Sequence, residues 1–88
     1  DYFASAQYLY QSNGDMKKAL TWVNKACDMK AAETPFWYLR LKSLVQAKNG
    51  DKTGAIETAK QSLAAAEKAN NQDYVKMNRD SISEWSKK

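Results

Sequence analysis

Apolar side chains recur along this chain at three- and four-residue intervals, the period of an α-helix that rests one face on a core. Over roughly residues 1–12 the stripe is Tyr2, Phe3, Ala6, Leu9 and Tyr10, and over about 16–29 it is Met16, Ala19, Leu20, Val23, Ala26 and Cys27. A third segment, about 35–48, presents Trp37, Leu41, Leu44 and Val45 with Phe36 and Leu39 on its flanks, so its apolar surface is unusually wide. The fourth, about 52–69, has a narrow stripe of Ala55, Ile56, Ala59, Leu63 and Ala66, small enough to let a neighbouring helix come close. The fifth, about 72–86, puts Tyr74, Val75, Met77, Ile82 and Trp85 on one side and Lys76, Asn78, Arg79, Asp80 and Glu84 on the other.

The breaks between these segments repeat. Asn13-Gly14-Asp15 recurs as Asn49-Gly50-Asp51, 36 positions later, and the residues around both copies keep step: Leu9 with Val45, Ala19 with Ala55, Cys27 with Leu63. In each copy the glycine is expected to take the left-handed backbone that closes a helix, and the aspartate to cap the next helix by accepting its first amide hydrogens. Thr34-Pro35 reads as a helix start, with Thr34 the N-cap and Pro35 the first helical residue, where its missing N–H is no loss. Asn70-Asn71-Gln72-Asp73 is a further interruption. The pattern predicts an all-α fold of five helices: two antiparallel helix pairs and a C-terminal capping helix. All of it forms one domain over 1–88, with repeat 1 about 1–34, repeat 2 about 35–70 and the cap about 72–86.

Composition narrows the chemistry. A chain of 88 residues buries only about 60–65% of its unfolded surface, so the ten aromatic residues matter as large contributors of apolar area. The net charge is +4, but basic residues are interleaved with acids. The nearest approach to a basic stripe, Lys17, Lys18, Lys25 and Lys30, is broken by Asp28 and lacks aromatic interleaving, which argues against nucleic-acid binding. No apolar run is long enough for a membrane span. Histidine is absent and Cys27 is the single cysteine, so there is no catalytic triad, no CxxC motif and no intramolecular disulfide. Cys27 lies on the second helix's apolar stripe, where a cysteine is a small core side chain. Asp80 and Glu84 share a helical face beside Lys76 and Arg79, which reads as a solvated, salt-bridged surface. The Asn-Gly-Asp copies lack the further oxygen ligands of a calcium loop. The expectation is a non-enzyme with no cofactor. The chain starts without an initiator Met already in a helical pattern, which reads as a fragment of a longer protein.

Gly14, Ala19 and Ala26, and again Gly50, Ala55 and Ser62, stand at the turn and small-residue positions of a helix-pair repeat, with Phe3, Tyr10 and Leu39 at its large positions. On these residues the chain resembles tetratricopeptide repeats over about 1–69. It departs from them in the middle of the first helix, where the position of the usual small residue is Gln7 in one copy and Ser43 in the other, at Gln46 in place of an aromatic, in the late Pro35 and in the 36-residue spacing. The resemblance implies a right-handed α-solenoid in which the first helix of each pair lines a concave face. Its groove positions fall on Tyr8, Gln11 and Ser12 in the first copy and on Trp37, Arg40, Leu44 and Lys48 in the second. Burial of Trp37 and Leu44 under the fifth helix or a missing domain is an equally open reading. The residues with which some tetratricopeptide domains clamp a C-terminal carboxylate are not reproduced.

Pro35-Phe36-Trp37, Leu39 to Leu44, Gly50-Asp51-Lys52, Asp73 to Asn78 and Ser83-Glu84-Trp85 also resemble the C-terminal helical segment of an uncharacterised family of exported bacterial proteins, in which a β-rich N-terminal domain precedes the helices. That resemblance implies a periplasmic or extracellular setting and no activity. The expected function is a module for docking a protein or peptide, a second copy of itself, or its own missing N-terminal domain. The alternative is the scaffold part of a larger exported protein whose activity, enzymatic or carbohydrate-directed, lies in that missing domain.

Overall fold

The computed structural model describes residues 1–87, which form α1 (Tyr2–Gln11), α2 (Met16–Met29), α3 (Phe36–Lys48), α4 (Lys52–Lys68) and α5 (Gln72–Trp85). The fold is all-α, with helix bounds within about a residue of those the periodicity predicts. Short turns join most neighbours, so each helix doubles back on the one before it. None of the described helices is long and apolar enough to cross a membrane.

The turns share one closure with different residues in it. After α1, the Gly14 N–H donates to the Leu9 carbonyl (2.8 Å) and the Asn13 N–H to that of Tyr10 (3.2 Å). After α3, Asp51 donates to Gln46 (3.0 Å) and Gly50 to Ala47 (3.0 Å). After α4, Asn71 donates to Ala66 (2.9 Å) and Asn70 to Glu67 (3.1 Å). These paired bonds form the Schellman motif, which satisfies the last carbonyls of a helix and needs a left-handed residue at its centre. Gly50 (φ 84°) supplies it after α3, but Asn13 (φ 56°) supplies it after α1 and Asn70 (φ 57°) after α4.

The expectation that Gly14 takes this role is therefore corrected. Helix α1 stops one residue earlier in the repeat than α3, which moves the left-handed position from the glycine to the asparagine before it. Asparagine tolerates that conformation better than other side chains do. Gly14 serves close approach instead: a Cβ there would stand 2.9 Å from Leu9 Cδ2. The aspartates cap as expected. Asp15 accepts from the amides of Lys17 and Lys18 (3.0 Å each), and Asp51 from Gly54 (2.9 Å). Asn71 does the same for α5 through the Tyr74 amide (3.1 Å). At Thr34-Pro35 the expectation fails by one residue. Pro35 itself is the N-cap of α3, without a side-chain cap bond, and the Thr34 hydroxyl donates back to the Lys30 carbonyl (3.1 Å), closing the preceding loop.

Helix α3 is the hub, packed mainly against α4 and α2 and more lightly against α1 and α5. This placement explains its wide apolar surface. Leu39, Leu41, Ser43 and Val45 are all buried, although they point in different directions round the helix. One core joins Ala6, Ala19, Val23, Leu41 and Val45, with Phe3, Leu9, Tyr10, Leu20 and Trp22 packed around them. A side-chain link holds the pairs together where Asn49 Nδ2 donates to the Met16 carbonyl (2.9 Å), from the end of α3 to the start of α2.

In the second half the buried line of α4 is Ala55, Thr58, Ala59, Ser62 and Ala66, which lets α3 and α5 both pack closely on it. Ile56 and Leu63, expected on that line, are only half-buried. The polar face read for α5 also needs correction, because Asn78 is completely buried.

A groove among helices α1, α3 and α5

The first helix of each pair and the closing helix together bound a groove of about 350 Å³. Helix α1 contributes Phe3, Gln7, Tyr10 and Gln11; α3 contributes Trp37, Arg40, Leu41 and Leu44; α5 contributes Tyr74 and Met77. Of the seven residues that the repeat resemblance places on a concave face, Gln11, Trp37, Arg40 and Leu44 come together here. Tyr8, Ser12 and Lys48 do not line it. Tyr8 is 69% exposed, the Ser12 hydroxyl donates to the Tyr8 carbonyl (2.8 Å) at the end of α1, and Lys48 is exposed in the last turn of α3. Trp37 is neither covered nor free: it remains 44% exposed, while Leu44 is half-buried.

Aromatic rings stitch the three helices together along one rim. Phe3 stacks on Tyr38 at 4.4 Å between centroids, Tyr38 meets Trp37 edge-on at 6.3 Å, Trp37 meets Phe36 at 4.9 Å, and Phe36 meets Tyr74 at 4.9 Å. Offset and edge-to-face pairs of this kind add about 0.5–1.5 kcal/mol each beyond the area they bury. Two of them, Phe3–Tyr38 and Phe36–Tyr74, tie α1 and α5 to α3.

A polar network anchors Arg40, the guanidinium of the lining. Arg40 Nη1 donates to Ser81 Oγ (2.7 Å), to the Met77 carbonyl (3.3 Å) and to Asn78 Oδ1 (3.4 Å). Asn78 Nδ2 donates to Ser62 Oγ (2.8 Å), whose own proton goes to the Phe36 carbonyl (2.8 Å). A continuous chain thus runs from α3 through α5 and α4 back to α3. Burial lowers the Arg40 pKa, but a guanidinium is so basic to begin with that it stays cationic at neutral pH.

Periodicity alone missed Phe3, Gln7, Tyr10, Leu41, Tyr74 and Met77 as groove residues, because which side of an apolar stripe faces a neighbour and which faces a cleft depends on where the neighbour sits. Gln7 was visible only as a departure from the repeat pattern. A larger cleft, about 620 Å³, opens between α1 and α2 against Tyr2, Phe3, Trp22, Met29 and Tyr38. Its acid, Asp1, is occupied in capping α1 through the Ala4 amide (2.7 Å).

Elsewhere the chemistry is ordinary. Cys27 is buried and its thiol pKa is pushed up by loss of solvent, the opposite of an activated nucleophile. Asp80 and Glu84 form exposed ion pairs with Lys76 (2.8 Å) and Lys87 (2.9 Å). No cluster of three or more His, Cys, Asp or Glu among the described residues is arranged to hold a metal ion. Comparison of the chain with protein-family models, with curated proteins and with solved structures finds no match in any of the three.

Proposed function

We propose that this chain is a non-catalytic, tetratricopeptide-like docking module whose groove among α1, α3 and α5 receives a segment of a partner protein or of a neighbouring domain of its own polypeptide. The observation that carries the reading is the half-exposed Trp37, held by ring contacts at the mouth of a cleft that also offers Leu44, Met77 and a guanidinium. Aromatic, aliphatic and Arg side chains on a rigid rim are the composition that anchors protein partners. A cleft of this size holds one or two anchor side chains, with the rest of the segment lying across the exposed faces of α1 and α3.

Selection from a library of random dodecapeptides tests this. Peptides are expected to enrich on the protein, to shield Trp37 from acrylamide quenching, and to lose about tenfold or more in affinity on Trp37→Ala, in line with aromatic anchors at other interfaces. Failure to enrich, or enrichment indifferent to Trp37→Ala and Leu44→Ala, would overturn it.

A further inference from the structure

Among the described residues, Arg40 is the one charged side chain lining the groove. It is half-buried, yet no carboxylate of the described residues stands within ion-pair distance of it; the ion pairs they do form are Lys76–Asp80, Arg79–Glu67 and Lys87–Glu84, all exposed. Every hydrogen bond it makes leaves from Nη1 and ends on a neutral acceptor: the Met77 carbonyl, Asn78 Oδ1 and Ser81 Oγ. Nη2 and Nε make none with the described residues. Taking a cation out of water without a counter-charge is unfavourable, and neutral acceptors on one nitrogen compensate it only in part. The guanidinium is also oriented in advance, since its Asn78 partner is itself tied to Ser62, whose hydroxyl in turn donates to the Phe36 carbonyl. An oriented fork with an unused edge suits a carboxylate, which it can meet with charge-assisted bonds.

We propose that the groove selects peptide segments carrying an Asp or Glu side chain beside an apolar one, with the carboxylate on the unused edge of Arg40 and the apolar neighbour against Trp37, Leu44 and Met77. This rests on the docking reading above and names the partner's chemistry. Charge complementarity supports it twice over: among the described residues the groove lining holds no acid, and the whole chain carries +4.

The test reads the sequences of the selected dodecapeptides, displayed between fixed neutral flanks so that side chains supply the only carboxylates. Winners are expected to show Asp or Glu enriched at one position next to an aliphatic or aromatic residue. Arg40→Gln, or replacing the peptide's acid by its amide, is expected to weaken binding by about tenfold, and both changes together by no more than either alone, the signature of a direct pair. Arg40→Lys, which keeps the charge and loses the fork, is expected to retain the acid preference in weaker form. If Arg40→Gln fails to fold by circular dichroism, the acid-to-amide comparison on the unaltered protein and the Arg40→Lys variant decide. Winners that need Trp37 but show no acid preference, or acidic winners indifferent to Arg40, overturn this inference and leave docking standing. A library that does not enrich removes both.

Discussion

Asn78 has its amide nitrogen on Ser62 and its amide oxygen facing Arg40, in a position with no solvent access. Asn78→Ala would remove both bonds and leave a void beside a hydroxyl and a cation, so a loss of about 2–3 kcal/mol is expected in urea unfolding. Asp80→Ala, two residues on but exposed, should change stability by less than about 0.5 kcal/mol. The glycines of the two identical tripeptides should separate in the same assay. Gly50→Ala forces a β-carbon into a left-handed backbone (φ 84°) and should lose about 1 kcal/mol, whereas at Gly14 the neighbour is the end of a flexible leucine and the loss should be smaller. Cys27 gives a pH signature. Its folded pKa lies above the ordinary 9.0 because burial disfavours the thiolate, so the folded state holds its proton more tightly than the unfolded one. That contribution is fully present below pH 9 and is lost as pH rises from there through the folded pKa. Stability should therefore fall above about pH 9, and Cys27→Ala should flatten that slope.

Among the elements, α5 has the most to lose or give. It covers α4, supplies Tyr74 to the aromatic rim and offers Met77, Asn78 and Ser81 to Arg40. A chain ended at Asn71 would expose Ser62 and the inner edge of α3 together, and is expected to lose its single cooperative urea transition and its dispersed methyl resonances while keeping some helical ellipticity. Element positions were legible because each rests on a local cue: three- and four-residue periodicity for the body, Asp or Asn side chains for the caps. Rotation about the helix axis was less legible. On α4 the apolar choice of Ile56 and Leu63 loses to Thr58 and Ser62, because close approach to α3 and α5 favours small side chains, and the Ser62 hydroxyl finds buried partners in the Phe36 carbonyl and Asn78. On α5 the same competition puts a polar Asn78 inside.

Across the whole molecule, the dominant packing joins helices adjacent in the chain, around a hub at α3, with a Cα radius of gyration of 12.1 Å. Contacts so local require little loop closure, so folding is expected within milliseconds, measurable by temperature jump or rapid mixing as one exponential phase. A slower, multi-phase approach to the native state would count against α3 as a shared hub. The chain by itself determined the number, order and limits of the helices, because propensity, period and capping act over a few residues. It also bounded the chemistry, through the absence of histidine and the single cysteine. It could mark Gln11, Trp37, Arg40 and Leu44 through resemblance to a repeat, but not Tyr74 or Met77. Only tertiary structure decided which helix faces close on a core, which asparagine or glycine turns left-handed, and that Arg40 stands in a cleft to which the described residues bring no acid. Those outcomes depend on distances between segments far apart in sequence, where packing outweighs the local preference of any one residue.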